Sequence, residues 1–209
     1  MRDFVMTSES VTAGHPDKLC DQVSDAVVDA YLAAGIRTPV DAECAIATGV
    51  VFLSIRAAEE APIDPAALAR RVLEEAGYPA LGGGGLPTVM LDLAIGHRDP
   101  APGDGLATHM TTAFGHACRH TPQDLAFPIW AAHRLTRALD DARREGRLPW
   151  LHPDAQAQVA VEFRDRRPVG LRAVAVTAAS PERPSDPEVG AALTAEVVAP
   201  AFDGSPVVQ

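Results

Sequence analysis

The sequence predicts an α+β fold built of two-layer units, each a small mixed sheet with helices on one face. Three observations carry this. Strand-like and helix-like segments alternate without the strict strand–helix grammar of a doubly wound sheet. Residues 156–177 read as paired strands around a turn, and 41–56 as one long strand or a bent hairpin. The same grammar of strand pair and helix occurs twice, which suggests two similar units, set at 1–125 and 126–209.

The first strong element follows Gly14-His15-Pro16. Gly14 permits a tight turn, and Pro16 suits the first helical position because its missing N–H has no partner there in any case. Leu19, Val23, Val27 and Ala30 recur at helical spacing and make one apolar stripe. Asp17, Asp21, Asp25 and Asp29 share another face; the last three read as a solvated face. His15, Asp17 and Lys18 gather at the helix start, where free N–H groups and the helix dipole favour anions. They could cap the helix or hold a metal and a phosphate chain, and composition does not choose between the two.

The run 41–56 reads as one long strand or a hairpin bent at Thr48-Gly49. Residues 64–76 read as a helix opened by Pro65, with Leu68, Val72 and Leu73 inward. The Gly82–Gly85 run lacks phosphate-loop spacing and reads as a flexible loop. A strand is expected over 88–95 and a Pro/Gly-rich loop over 97–109. His97, His109, His116 and His120 show no zinc-type pairing. Residues 128–145 read as a helix ended by Gly146, with Ile129, Ala132, Leu135 and Leu139 inward, and Trp150 is expected in the core. A hairpin is expected around 165–168. Ser185 with Glu188 forms a capping-box spacing that opens a last helix through Val198.

Composition narrows the function. The 209 residues carry a net charge of −10, which disfavours generic nucleic-acid binding because phosphate contacts need a basic face. The longest apolar stretch, about 45–55, is too short to span a bilayer. Three widely spaced Cys form no zinc pattern and fit a reducing compartment. A soluble cytoplasmic protein without a membrane partner is the expectation. The one Lys, Lys18, stands among seventeen Arg, as if its compact ammonium were needed.

The opening run Thr7-Ser8-Glu9-Ser10-Val11-Thr12, with Gly14-His15-Pro16-Asp17-Lys18 and Cys20-Asp21-Gln22, resembles the S-adenosylmethionine synthetase (methionine adenosyltransferase) family. So do Glu43, Thr48-Gly49, Ile95-Gly96, Phe114-Gly115, Ala132-His133-Arg134-Leu135, and Leu148-Pro149-Trp150-Leu151 with Pro153-Asp154-Ala155. The resemblance implies intertwined α/β units, paired subunits with sites between them, and the joining of ATP to methionine with help from Mg2+ and K+. By position, His15 would act at the leaving triphosphate oxygen, with Lys18 beside it as the other catalytic group. Asp17 would be a magnesium ligand and Glu43 the acid of the potassium site. Glu9, Arg56, Arg98, Asp104 and Asp154 fall at positions tied to substrate, Asp154 near the ribose hydroxyls.

The departures are as informative. Arg56 stands where the family places an acid for the methionine amino group, and Arg98 where it places a Gln. Asp104 matches a family acid only across a gap. Gln156 replaces a Lys and Ala13 a usual Glu. The family's third unit has no counterpart in these 209 residues. Each lost charge-assisted contact to a triphosphate costs on the order of 1.5–3 kcal/mol. The expectation is therefore a protein that binds an adenosyl compound, ATP or S-adenosylmethionine, and performs altered adenosyl or sulfonium chemistry. The alternatives are residual methionine adenosyltransferase activity, or a non-catalytic partner of a full-length synthetase. A homodimer is expected, with a heteromer as the other arrangement.

Overall fold

The computed structural model describes residues 3–47, 49–78, 87–96, 110–180 and 185–205. The chain divides into two compact units. One is discontinuous, Met1–His15 with Phe114–Gln209, and the other, Pro16–Ala113, is inserted within it. Mixed α+β content in small three-stranded sheets matches the predicted class.

In the inserted unit, α1 (Pro16–Ala33) precedes β2 (Val40–Ala47) and β3 (Val50–Ala57), which pair antiparallel. The stretch 41–56 is thus a hairpin. Gly49, at φ 75°, supplies the left-handed turn residue that a side chain would resist. Helix α2 (Pro65–Ala76) then crosses over to β4 (Thr88–Ile95), which lies parallel to β3, giving the order β2-β3-β4. A parallel partner needs such a crossover because a tight turn can only reverse the chain. Asp64 caps α2 by accepting from the N–H groups of Ala66 and Ala67, both at 3.0 Å, and Gly77 ends it at φ 105°.

Alternation along β3 puts Val51, Leu53, Ile55 and Ala57 inward. They pack against Leu19, Val23, Val27 and Tyr31 of α1 and Leu68, Ala69, Val72 and Ala76 of α2. The predicted α1 stripe holds, with Tyr31 completing it where Ala30 is only half-buried. Leu73 is likewise half-buried, and Ala69 takes the inner position.

The discontinuous unit joins β1 (Phe4–Val11), β5 (Ala155–Arg164) and β6 (Arg167–Ala178) in an antiparallel sheet, with β5 central. Its inner face is Ala155, Ala157, Val159, Val161 and Phe163. Helix α3 (Phe127–Arg144) lays Phe127, Ala131, Ala132, Leu135 and Leu139 on that face. Ile129 and Trp150, both expected inward, are only half-buried. Phe127 fills the place given to Ile129, while Leu148 and Leu151 provide the buried part of the Leu-Pro-Trp-Leu turn.

The hairpin turn is tighter than expected. Asp165 and Arg166, at φ 49° and 63°, form it alone, and Arg167 and Pro168 already belong to β6. Pro168 is tolerated because β6 is an edge strand. The last helical run comprises α4 (Asp186–Leu193), a π turn (Thr194–Val198) and α5 (Ala199–Phe202). It runs four residues past the expected end at Val198, because Val197, Ala201 and Phe202 are buried in the core. Its start is held as predicted, with Glu188 accepting from the Ser185 N–H at 3.2 Å and from its hydroxyl at 2.6 Å.

Candidate functional site

The turn between β1 and α1 is fixed by buried hydrogen bonds. The Thr12 N–H donates to the Ala155 carbonyl at 2.9 Å. The Thr12 hydroxyl accepts from the Ala155 N–H at 2.9 Å and lies 2.6 Å from the Pro153 carbonyl and 3.0 Å from that of Ala155. Its single proton serves one carbonyl at a time. Asp140 of α3 accepts from the Ala13 N–H at 3.0 Å. Gly14 faces Pro153 so closely that an added Cβ would stand 2.7 Å from its carbonyl oxygen and 2.8 Å from its carbonyl carbon. The His15 N–H closes the turn on the Thr12 carbonyl at 3.1 Å. His15, half-buried, is the last residue of this part of the discontinuous unit.

The same corner holds more ionisable groups. Asp140 pairs with Arg143 at 3.6 Å. Burial pushes the His152 imidazole below its usual range, and the positive charge of Arg143 adds to this while Asp154 opposes it. Asp154 is half-buried, and its backbone carbonyl accepts from the Ala179 N–H at 3.1 Å. Asp140, Arg143 and His152 were not among the predicted site residues. Their only sequence signal was an acid and a base three apart near a helix end, which is common on any helix.

Glu9 lies exposed on the outer face of the β1–β5 pair. It accepts from the Gln156 side chain at 2.9 Å and that of Gln158 at 3.4 Å. Gln156, where the family resemblance places a Lys, is thus a neutral donor to Glu9.

In the inserted unit, Asp17 and Lys18 are exposed in the first turn of α1, the helix end that favours anions. Glu43 and Arg56 project from the opposite, outer face of β2–β3–β4, since the inner face carries α1. Glu43 stands beside Ser54, whose hydroxyl donates to Asp92 at 3.2 Å, so two carboxylates flank one serine across three strands. Phe52 and Met90 lie beside that row, and together they border a shallow depression of about 360 Å3. Asp92 was not singled out in the sequence, although a lone acid among Leu91 and Leu93 was a usable signal.

On the inner face, burial pushes the Cys44 thiol up to about 12, and contact with the Cys20 thiol adds to this. Among the described residues, no three His, Cys, Asp or Glu side chains come together as a metal site. Asp17, assigned to magnesium, stands at the start of α1, and Glu43, assigned to potassium, on the outer face of the sheet. Arg98 and Asp104, with His97 and His109, lie outside the described residues. No helix among the described residues is long and apolar enough to cross a membrane.

These features define an α+β protein with a hydrogen-bonded turn at residues 12–15 of one unit and a helix start bearing Asp17 and Lys18 in the other. Residues 3–84 match the S-adenosylmethionine synthetase N-terminal domain, and residues 105–208 match its central domain. The chain belongs to the S-adenosylmethionine synthetase family. It is 37% identical over 194 residues to an S-adenosylmethionine synthase of Synechococcus sp. (strain CC9605), covering 85% of this chain and 47% of that protein. It is 36% identical over 193 residues to that of Helicobacter hepaticus, covering 87% and 50%. It is 38% identical over 193 residues to S-adenosylmethionine synthase 1 of Frankia casuarinae, covering 83% and 48%. The chain spans about half the length of the curated relatives it matches.

Proposed function

We propose that this S-adenosylmethionine synthetase-like protein binds an adenosyl compound, ATP or S-adenosylmethionine, at the turn and helix start of residues 12–18, and that it performs altered adenosyl or sulfonium chemistry there. The observation that carries this reading is the construction of the turn. Buried bonds of Thr12, a part-buried bond from Ala13 and the contact of Gly14 with Pro153 hold the backbone just before His15. A donor held in place without reorganisation is what stabilises developing negative charge. In this reading His15 donates to an anionic oxygen, Lys18 supplies the mobile cation, and Asp154 meets the ribose hydroxyls. Glu9, tied to two glutamines, borders the substrate from the strand side.

Arg56 stands where the family has an acid for the methionine amino group, and Arg98 where it has a Gln that also contacts methionine. A pocket that contains them favours a carboxylate or another anion, because a guanidinium matches such groups bidentately. Asp17 remains the candidate magnesium ligand and Glu43 the candidate potassium ligand.

The deciding experiment is calorimetry of the folded protein with ATP, with S-adenosylmethionine and with methionine. Binding of either adenosyl compound is expected, with affinity lost in His15→Ala and melting temperature nearly unchanged. Absence of binding to all three would overturn the reading. Plain methionine adenosyltransferase activity is judged separately by phosphate release from ATP, methionine and magnesium.

A second reading is favoured by the outer face of β2–β3–β4, where Phe52 and Met90 are 43% and 53% exposed beside Glu43 and Asp92. In it the protein is a non-catalytic subunit that covers this face with a second copy or with a full-length synthetase. A homodimer is proposed, in the cytoplasm. Light scattering that gives a monomer, together with failure to co-purify with a full-length synthetase, would remove this reading.

A further inference from the structure

The Ala13 N–H lies just beyond the point where β1 leaves its partner. The ladder with β5 ends at Val11 opposite Gln156, and the Thr12 N–H takes the Ala155 carbonyl. The Ala13 N–H is served from α3 instead, donating to Asp140 Oδ2 at 3.0 Å across 127 positions of sequence. The other oxygen, Oδ1, faces the Arg143 guanidinium at 3.6 Å, and these two side chains are only 17% and 14% exposed. One carboxylate thus joins a backbone N–H two residues before His15 to a cation one turn along the helix. All of these groups belong to the discontinuous unit.

A charged acceptor makes a backbone hydrogen bond roughly twice as strong as a neutral one. Shielded from water, it also needs a counter-charge, which Arg143 supplies. An ion pair three apart on an open face would serve the helix alone equally well. Here the pair is largely shut from water, and one of its oxygens is committed to the turn. We infer that Asp140 is a positioning residue for His15, setting through the Ala13 N–H the place from which the imidazole leaves the chain. The inference rests on the reading of this turn as a ligand site. Thr12 and Gly14 hold the strand side of the turn, and Asp140 holds its helix side. The carboxylate does not touch the ligand. It acts through the backbone, keeping His15 in one place so that binding needs no reordering of the turn.

The test separates the acceptor from the charge. Asp140→Asn keeps a carbonyl oxygen for the Ala13 N–H and removes the charge, while Asp140→Ala removes both. Asp140→Ala combined with Arg143→Met removes the ion pair as a whole, so the fold is not burdened by the loss of one partner. In the free proteins, nuclear magnetic resonance follows exchange of the Ala13 amide and the His15 ring signal, assigned by its absence from His15→Ala. The Asn variant is expected to keep both close to the parent protein. Asp140→Ala and the double variant should each exchange the Ala13 amide about tenfold faster and displace the His15 signal. Calorimetry with ATP and with S-adenosylmethionine should follow the same order, with the Asn variant within about twofold of the parent and the other two about tenfold weaker. An Asn variant that behaves like Ala would overturn the inference. So would recovery of the turn once Arg143→Met is added, because Asp140 would then be only a counter-charge for Arg143. If the parent protein binds neither compound, the ligand reading falls, while the two free-protein measurements still decide for or against Asp140.

Discussion

The turn before α1 and the outer face of β2–β3–β4 both carry residues that the sequence assigned to a site, and they are built in opposite ways. At the turn, backbone groups of Thr12, Ala13 and His15 have their own partners, and Gly14 has no room for another atom. On the sheet face, Glu43 and Arg56 stand in the open beside Phe52 and Met90, and nothing inside the unit dictates them. The first region is fixed by its own fold, so the backbone before His15 is positioned in advance. The second is a surface, where a change of residue alters recognition at little cost to folding.

Substitutions should separate the two regions sharply. Gly14→Ala drives a methyl group into the Pro153 backbone, which cannot swing aside. A loss of about 3 kcal/mol is expected in urea unfolding. Thr12→Val keeps the shape but strands the buried Ala155 N–H, for a loss of about 2 kcal/mol in the same measurement. Asp140→Ala frees the Ala13 N–H and should cost about 1.5 kcal/mol, with weaker ligand binding at the turn.

A pH titration is a finer probe of the same corner. The folded His152 binds its proton less readily than the unfolded chain does. Its contribution to stability is therefore complete above a pH of about 6.5 and falls as the pH drops through the window below that value. His152→Gln should flatten this part of the profile, measured by urea midpoints from about pH 7.5 to about pH 5. The smallest effect on folding is expected on the sheet face. Phe52→Ser should change stability by about 0.5 kcal/mol or less while shifting the oligomer distribution seen by light scattering. If it unfolds the unit instead, the face is not the free surface described here.

The sequence disclosed most of the α1 stripe, α2 opened by Pro65 and the Ser185 cap, because each follows from local periodicity or local hydrogen bonding; it left 41–56 open between one strand and a hairpin, and the Asp64 cap was not read from it. It placed His15, Asp17 and Lys18 at a helix start through one contiguous motif. It did not disclose Asp140, which reaches the Ala13 N–H from more than a hundred residues away, or His152, which lies near Arg143 and Asp154. Gly14 was legible only as a turn residue, yet its φ is not left-handed; what demands it is the approach of Pro153.

The sequence by itself determined the elements and the family, because helix caps, strand alternation and a contiguous motif act over a few residues. Only the tertiary structure decided which charges meet. It set Asp140 on the turn, tied Glu9 to Gln156 and put Glu43 on the sheet face away from α1. The physical reason is range: local bonding is written in neighbouring residues, while contact between distant segments depends on how sheets and helices pack.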